Sequence, residues 1–132
     1  MASLQGDGMD ATFENLVERY WSTAVARDWD AFGQLVHEHV LYEVPQTRER
    51  VRGRAAYVEF NATYPGDWSL EIRHIVANDK QAVSKVDFNV DGETATGITF
   101  FEFRDGLIAH ITDYWPAPYE PPIRMTDHIE RY

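Results

Sequence analysis

Apolar side chains recur at helical spacing across residues 9–27, where Phe13, Leu16, Val17, Tyr20, Trp21, Ala24 and Val25 fall on one face. Asp10 is a suitable N-cap for that helix. A shorter helix is expected after Asp28, with Trp29, Phe32, Leu35 and Val36 along one side. Val40 to Val44 has strand character and ends at Pro45. Residues 45–53 are polar, carry Arg48, Arg50 and Arg52, and read as a loop. A third helix is expected from about Arg54 to Thr63, stopping before Pro65-Gly66.

From Trp68 onward the period becomes two. Residues 68–76, 81–90, 93–103 and 107–115 read as four strands, separated by Asn78-Asp79, Asp91-Gly92 and Asp105-Gly106. Those dipeptides suit tight hairpin turns, so the strands form an antiparallel meander. Helices first and strands afterwards predict an α+β fold: three N-terminal helices on a curved, mainly antiparallel sheet that encloses a pocket, a cone-shaped (cystatin-like) roll. Residues 1–8 read as a disordered lead-in, 9–116 as the folded domain, and 117–132 as an extended, proline-rich C-terminal tail.

Composition narrows the partners. The chain has 132 residues, 44% hydrophobic and 14% aromatic, enough to bury a core and to line a ligand pocket. A net charge of −10 argues against nucleic acid and against an anionic membrane surface. No cysteine is present, so thiol and disulfide chemistry are excluded. The first residues carry no signal-peptide pattern, and the expected location is cytoplasmic.

Polar residues on otherwise apolar strand faces are the candidates for chemistry. Asp113 shares a face with Leu107, Ala109, Ile111 and Trp115; a carboxylate buried there would hold its proton more tightly. His74 shares a face with Trp68, Leu70, Ile72 and Val76. On 81–90, Lys85, Asp87 and Asn89 occupy one face and Ser84, Val86, Phe88 and Val90 the other, and either set can line the cavity. His37-Glu38-His39 lacks the spacing of a helical zinc motif and reads as surface or capping residues, with no metal site expected.

The stretches Arg19-Tyr20 to Phe32, Gly53-Arg54, and Asp105-Gly106-Leu107-Ile108 into Asp113-Tyr114-Trp115 resemble the nuclear transport factor 2-like superfamily, in particular its SnoaL-like polyketide cyclase group. The resemblance covers about residues 10–116. Lys85-Val86-Asp87 is similar to the limonene-epoxide hydrolase strand that carries an arginine and a carboxylate two apart, and Asp113 matches the second carboxylate of those enzymes. Leu41 and Glu43 stand where they hold water with tyrosine and asparagine. Tyr20 matches the oxyanion-hole tyrosine of steroid isomerases, whereas Val44 and Thr99 stand in place of their base and second acid.

The resemblance implies a cofactor-independent acid/base enzyme, of cyclase, isomerase or epoxide-hydrolase type, acting on a small, mostly apolar cyclic ligand. Asp113, Asp87, Lys85 and His74 are its candidate catalytic residues, and Tyr20, Glu43, Trp68 and Trp115 its candidate substrate contacts. The alternative is a non-catalytic ligand-binding or dimeric interaction module of the same fold. A homodimer through the outer sheet face is also implied, centred on Val86, Phe88 and Val90 if Lys85 and Asp87 point inward.

Overall fold

The computed structural model describes the backbone of residues 3–132 and the side chains of residues 12–132. Its elements are α1 (Ser3–Val25), α2 (Trp29–Gln34), β1 (Val36–Val44), β2 (Glu49–Arg52), α3 (Arg54–Ala62), β3 (Trp68–Ala77), β4 (Gln81–Val90), β5 (Glu93–Arg104) and β6 (Leu107–Tyr114). Helix α1 thus includes residues 3–8, which the sequence pattern assigns to the lead-in; residues 1 and 2 lie outside the described residues.

The six strands form one sheet in the order β2-β1-β6-β5-β4-β3. β1 and β6 run parallel, and every other neighbouring pair is antiparallel. The meander forms because its turns suit the strand twist. Asp91-Gly92 (φ 51° and 85°) and Asp105-Gly106 (φ 56° and 74°) both place two successive residues at positive φ, the type I′ geometry that matches a right-handed hairpin. At the β3–β4 turn, Asn78 Oδ1 accepts from the backbone N–H groups of Lys80 and Gln81.

Helix α1 buries Leu16, Val17, Tyr20, Trp21 and Ala24, as its periodicity predicts, while Val25 is exposed at its end. Phe13 stacks on Phe103 with ring centroids 4.1 Å apart. Asp28 caps α2 through a 3.2 Å bond from Ala31 N–H, and α2 delivers Phe32 and then Leu35 and Val36 to the core. Phe101, Ile108 and Ile111 complete that core from the sheet. All three helices therefore pack on one face of the sheet, as expected.

Two local expectations need correction. The polar stretch 45–53 contains β2, a short edge strand whose partner is the C-terminal half of β1. Its exposed charged side chains suit an edge that must not pair further. His37, Glu38 and His39 lie in β1; His37 is buried, bonded to Asp105 through Nε2 (3.2 Å) and accepting from the His39 N–H through Nδ1 (3.0 Å). Among the described residues no three histidine, aspartate or glutamate side chains converge as a metal site.

Gly97 of β5 shows how tightly the sheet is packed against its last residues. A Cβ there would lie 2.7 and 2.8 Å from the Trp115 ring and 3.1 Å from Val86 Cγ2. Gly97→Ala is expected to push the Trp115 indole aside and to lower stability by about 1–3 kcal/mol. Denaturant unfolding followed by tryptophan fluorescence checks this; an unchanged midpoint and emission maximum would show that the indole yields freely.

Candidate active site

An aromatic-walled cavity of about 70 Å³ lies between the helices and the inner sheet face. Its walls follow from the periodicities already described. Tyr20, Trp21 and Ala24 come from α1, Phe32 from α2, and Tyr57, Phe60 and Asn61 from α3. The sheet adds Tyr42, Trp68, Leu70, Phe88 and Asp113, and the chain beyond α3 and β6 adds Tyr64 and Trp115. Tyr64 is 45% exposed and marks the open side.

Among the described residues Asp113 is the one carboxylate on these walls, and no lysine, arginine or histidine joins it. It is only 5% exposed. Thr99 sits directly opposite on β5 and bonds Oδ1 at 2.5 Å, while the Tyr42 hydroxyl donates to Oδ2 at 2.5 Å. Burial raises its pKa above the ordinary aspartate value; the bonds from Thr99, Tyr42 and Trp115 pull back only part of that rise. The phenols around it stay protonated. Burial and the neighbouring Asp113 charge push Tyr42 and Tyr57 upward, and burial with the Tyr57 neighbour does the same to Tyr20.

The Tyr20 and Tyr57 hydroxyls are hydrogen-bonded to one another. In such a pair one hydroxyl donates and the other keeps a free O–H, available to a ligand atom. Two walls are pinned from behind. The Arg27 guanidinium lies 3.6 Å over the Trp68 ring and donates to the Trp68 carbonyl at 2.6 Å. The Gln46 amide brackets the Trp115 backbone, donating to its carbonyl at 3.0 Å and accepting from its N–H. Trp21 Nε1 donates to Ser84 at 3.0 Å, which satisfies an indole in the buried wall.

Of the eight residues singled out from sequence, the cavity brings together Asp113, Tyr20, Trp68 and Trp115. The other four lie elsewhere. On β4 the buried set is Ala82, Ser84 and Val86, so Lys85 points to solvent and Asp87 pairs with Arg73 Nε at 2.6 Å on the outer side. With that orientation Val86 is in the core and Phe88 lines the cavity, so neither can centre an outer-face dimer contact. His74 is displaced by a bulge. Arg73 is the extra residue between Ile72 and His74 in the β3–β4 register, so the inward set resumes at Ile75 and His74 is exposed. Glu43 faces outward, bonded to Arg50 and to His110 Nε2 (2.8 Å); Arg50 first and His110 second hold its pKa down.

Tyr42, Tyr57, Asn61 and Tyr64 are polar cavity residues that the sequence pattern did not single out, as is Thr99, which holds Asp113 from behind the wall. Tyr42 had a readable signal, because it alternates with Val40 and Val44 on the buried face of β1. Alignment on Pro45 directs attention to Leu41 and Glu43, one residue to either side and half-buried. Thr99 could be found the same way, between Gly97 and Phe101.

The fold has clear relatives. A model of the SnoaL-like domain matches residues 17–111. A candidate ketosteroid isomerase from Kribbella flavida shares 39% identity, with a TM-score of 0.89 over 93% of this chain and 91% of that one. A candidate polyketide cyclase from Xanthomonas campestris shares 26% identity, with a TM-score of 0.67 over 82% and 93% of the two chains. An epoxide hydrolase of the limonene-epoxide-hydrolase type from Mycobacterium tuberculosis shares the fold, at 17% identity and a TM-score of 0.68 over 81% and 84%. No curated protein matches the sequence. With the α+β cone, the aromatic cavity and the family match over most of its length, this chain belongs to the SnoaL-like domain family of nuclear transport factor 2-like folds.

Proposed function

We propose that the protein is an acid/base enzyme that moves a proton on a carbon next to the carbonyl of a small, uncharged cyclic ketone. The observation that carries this reading is Asp113: a buried carboxyl, the one carboxylate among the described residues that line an aromatic cavity, with its proton affinity raised. A base must bind the proton it removes, and a carboxyl held above its usual pKa does so at less cost near neutral pH.

The proton balance is simple. Ionised Asp113 removes a C–H proton adjacent to the carbonyl, which leaves an enolate and a neutral carboxyl. Returning that proton to a different carbon isomerises the substrate; alternatively the enolate carbon attacks a second carbonyl to close a ring, and the alkoxide formed there takes the proton back from Asp113. The developing oxyanion needs a donor, and the Tyr20–Tyr57 pair has an O–H to offer. An enclosed volume of about 70 Å³ is well below the ~150 Å³ that holds a benzene molecule, so the reacting edge of a ring enters and the remainder projects past Tyr64.

Epoxide hydrolysis by two carboxylates is disfavoured, because Asp87 is on the other side of the sheet from Asp113 and no arginine lines the cavity. Steroid isomerases are resembled in a shifted form. Thr99 stands where the resemblance places their second acid, and it donates a hydrogen bond to Asp113 on the adjacent strand.

The test is enolisation itself. Deuterium exchange at the α-carbons of 2-tetralone and conversion of 3-cyclohexenone to the conjugated enone are followed by NMR and ultraviolet absorbance. Asp113→Asn is expected to lower the enzymatic rate about 10²–10⁴-fold, whereas Lys85→Ala and His74→Ala leave it within about twofold, as expected for groups outside the cavity. Near-normal rates in Asp113→Asn sink the assignment; binding of both ketones without any exchange favours the binding-module reading instead.

The pH dependence has a defined sign. Since the ionised carboxylate is the base, the acid limb of kcat/KM lies above the ordinary aspartate value of about 3.9. Thr99 donates to the charged form, so Thr99→Val raises the limb further, by about 1 pH unit for a bond worth ~1.5 kcal/mol. Stability runs the other way. A raised folded-state pKa means that Asp113 stabilises the fold below its unfolded pKa and that this contribution is lost as pH rises through the folded value. Asp113→Asn is therefore expected to gain on the wild type in thermal unfolding as pH increases through that window.

A further inference from the structure

We infer that the cavity also takes a cation: the head of an alkylated ammonium ion, caged by aromatic ring faces and held by Asp113. The inference rests on the proposed function only for an ionisable Asp113 at the cavity wall, and it requires no turnover. A cation is drawn to the negative face of an aromatic ring, and a cage forms where rings stand at steep angles, so that faces converge from several sides. Phe88 stands edge-on to Tyr64, with centroids 5.9 Å apart and planes at 87°, and lies at 67° to Trp115 at 5.3 Å. Phe60 meets Tyr64 at 75° and 6.4 Å from the α3 side. All four rings line the cavity. Trp68 contributes less, because the Arg27 guanidinium already occupies one side of that ring at 3.6 Å.

Charge completes the cage. Ionised Asp113 supplies a full negative charge, and among the described residues no lysine, arginine or histidine on the walls neutralises it. Its hydroxyl partners are neutral, Thr99 on Oδ1 and Tyr42 on Oδ2. A carboxylate held only by neutral donors keeps its charge available to a further ligand. The net charge of −10 also raises the concentration of cations around the molecule.

Hydrogen bonding and size select the kind of cation. A carboxylate has about four acceptor sites, and Thr99 and Tyr42 engage two of those on Asp113. The three N–H donors of a primary ammonium cannot all be met there, and a donor left unpaired among rings is costly. An ammonium whose hydrogens are replaced by methyl groups has no such donors, and its methyls bury against the aromatic walls. About 70 Å³ holds roughly five water-sized groups at ~10–15 Å³ each, which matches a nitrogen with four attached carbons. A longer substituent leaves past the half-exposed Tyr64. A cation seated in this way stabilises the carboxylate in its ionised form and covers it, so it blocks the site without reacting.

Calorimetric titration with choline and with 3,3-dimethyl-1-butanol, its uncharged isostere, separates charge from shape. Choline is expected to bind at least about tenfold more tightly than the alcohol. Asp113→Asn keeps the shape and removes the charge; it is expected to weaken choline about tenfold and to leave the alcohol within about twofold. Tyr64→Leu changes only a ring at the open mouth, and is expected to weaken choline about two- to fivefold, the worth of one exposed cation–π contact, with the alcohol again little affected. Equal affinities for choline and the alcohol overturn the inference. So does choline binding that either substitution leaves unchanged, and so does a failure of both compounds to bind. Enolisation is read in the ketone assay without choline, so the two readings fail separately.

Discussion

A buried carboxyl in an aromatic-walled cavity is the constraint around which this structure is arranged. Removing an ionised carboxylate from water costs several kcal/mol unless polar groups replace the lost hydration. The fold supplies them from three different places: Thr99 across the β5–β6 pairing, Tyr42 from β1, and the Trp115 side. The parallel contact of β1 with β6 is what brings Tyr42 within reach, since it pairs Tyr42 with Ile111, two residues before Asp113. The donors are all neutral. An arginine in their place would hold the carboxylate in its charged form and depress its pKa. Neutral donors fix the geometry while leaving the proton affinity elevated.

The two faces of the sheet divide the labour. Charges that the sequence also offers for catalysis are spent outside: Asp87 on Arg73, Glu43 on Arg50 and His110, and His110 again on Glu102. These pairs are solvent-accessible and contribute little to stability individually. Their consequence is one of exclusion. Among the described residues Asp113 is the one carboxylate on the cavity walls, so the usual ambiguity of a coupled carboxylate pair does not arise there.

Most elements were legible because hydrophobic period and turn chemistry agreed; β2 and the first turns of α1, which lack an apolar pattern, were not. Helix–strand order, hairpin positions and the inward face of α1 all follow from Tyr20-Trp21 spacing, Asp-Gly pairs and alternation in β5. The site was legible only where strands stayed in simple alternation. Asp113 and Trp115 sit beyond the irregularity near Ala109 in β6, and still alternate inward. His74 sits just past a bulge, and one inserted residue is enough to turn it outward. A bulge has no reliable signature in Leu70-Glu71-Ile72-Arg73-His74-Ile75, because Ile72 and Ile75 satisfy either reading. For β4 the alternation itself was clear, but which face was wet depended on Arg73 being available to Asp87 from the neighbouring strand. That is a tertiary fact.

Aromatic walls and net charge act on Asp113 in the same direction. The rings of Tyr20, Trp21, Phe60 and Trp68 offer few orientable dipoles and so give the cavity a low dielectric constant, and the net charge of −10 adds a diffuse negative field. Both disfavour ionisation, and both disfavour an anionic ligand. A cationic ligand would be welcomed by ring faces and carboxylate alike, but it would also stabilise ionised Asp113 and so weaken it as a base. In the proposed reaction a neutral carbonyl compound escapes that conflict. It carries no charge to desolvate on entry, and the negative charge it acquires on enolisation moves off Asp113 at the same moment. The total charge in the cavity is then constant through the proton transfer, and only its position changes, from a carboxylate held by Tyr42 and Thr99 to an oxyanion beside Tyr20 and Tyr57. Preorganised donors at both ends of that displacement are what a low-dielectric site needs to keep the barrier small.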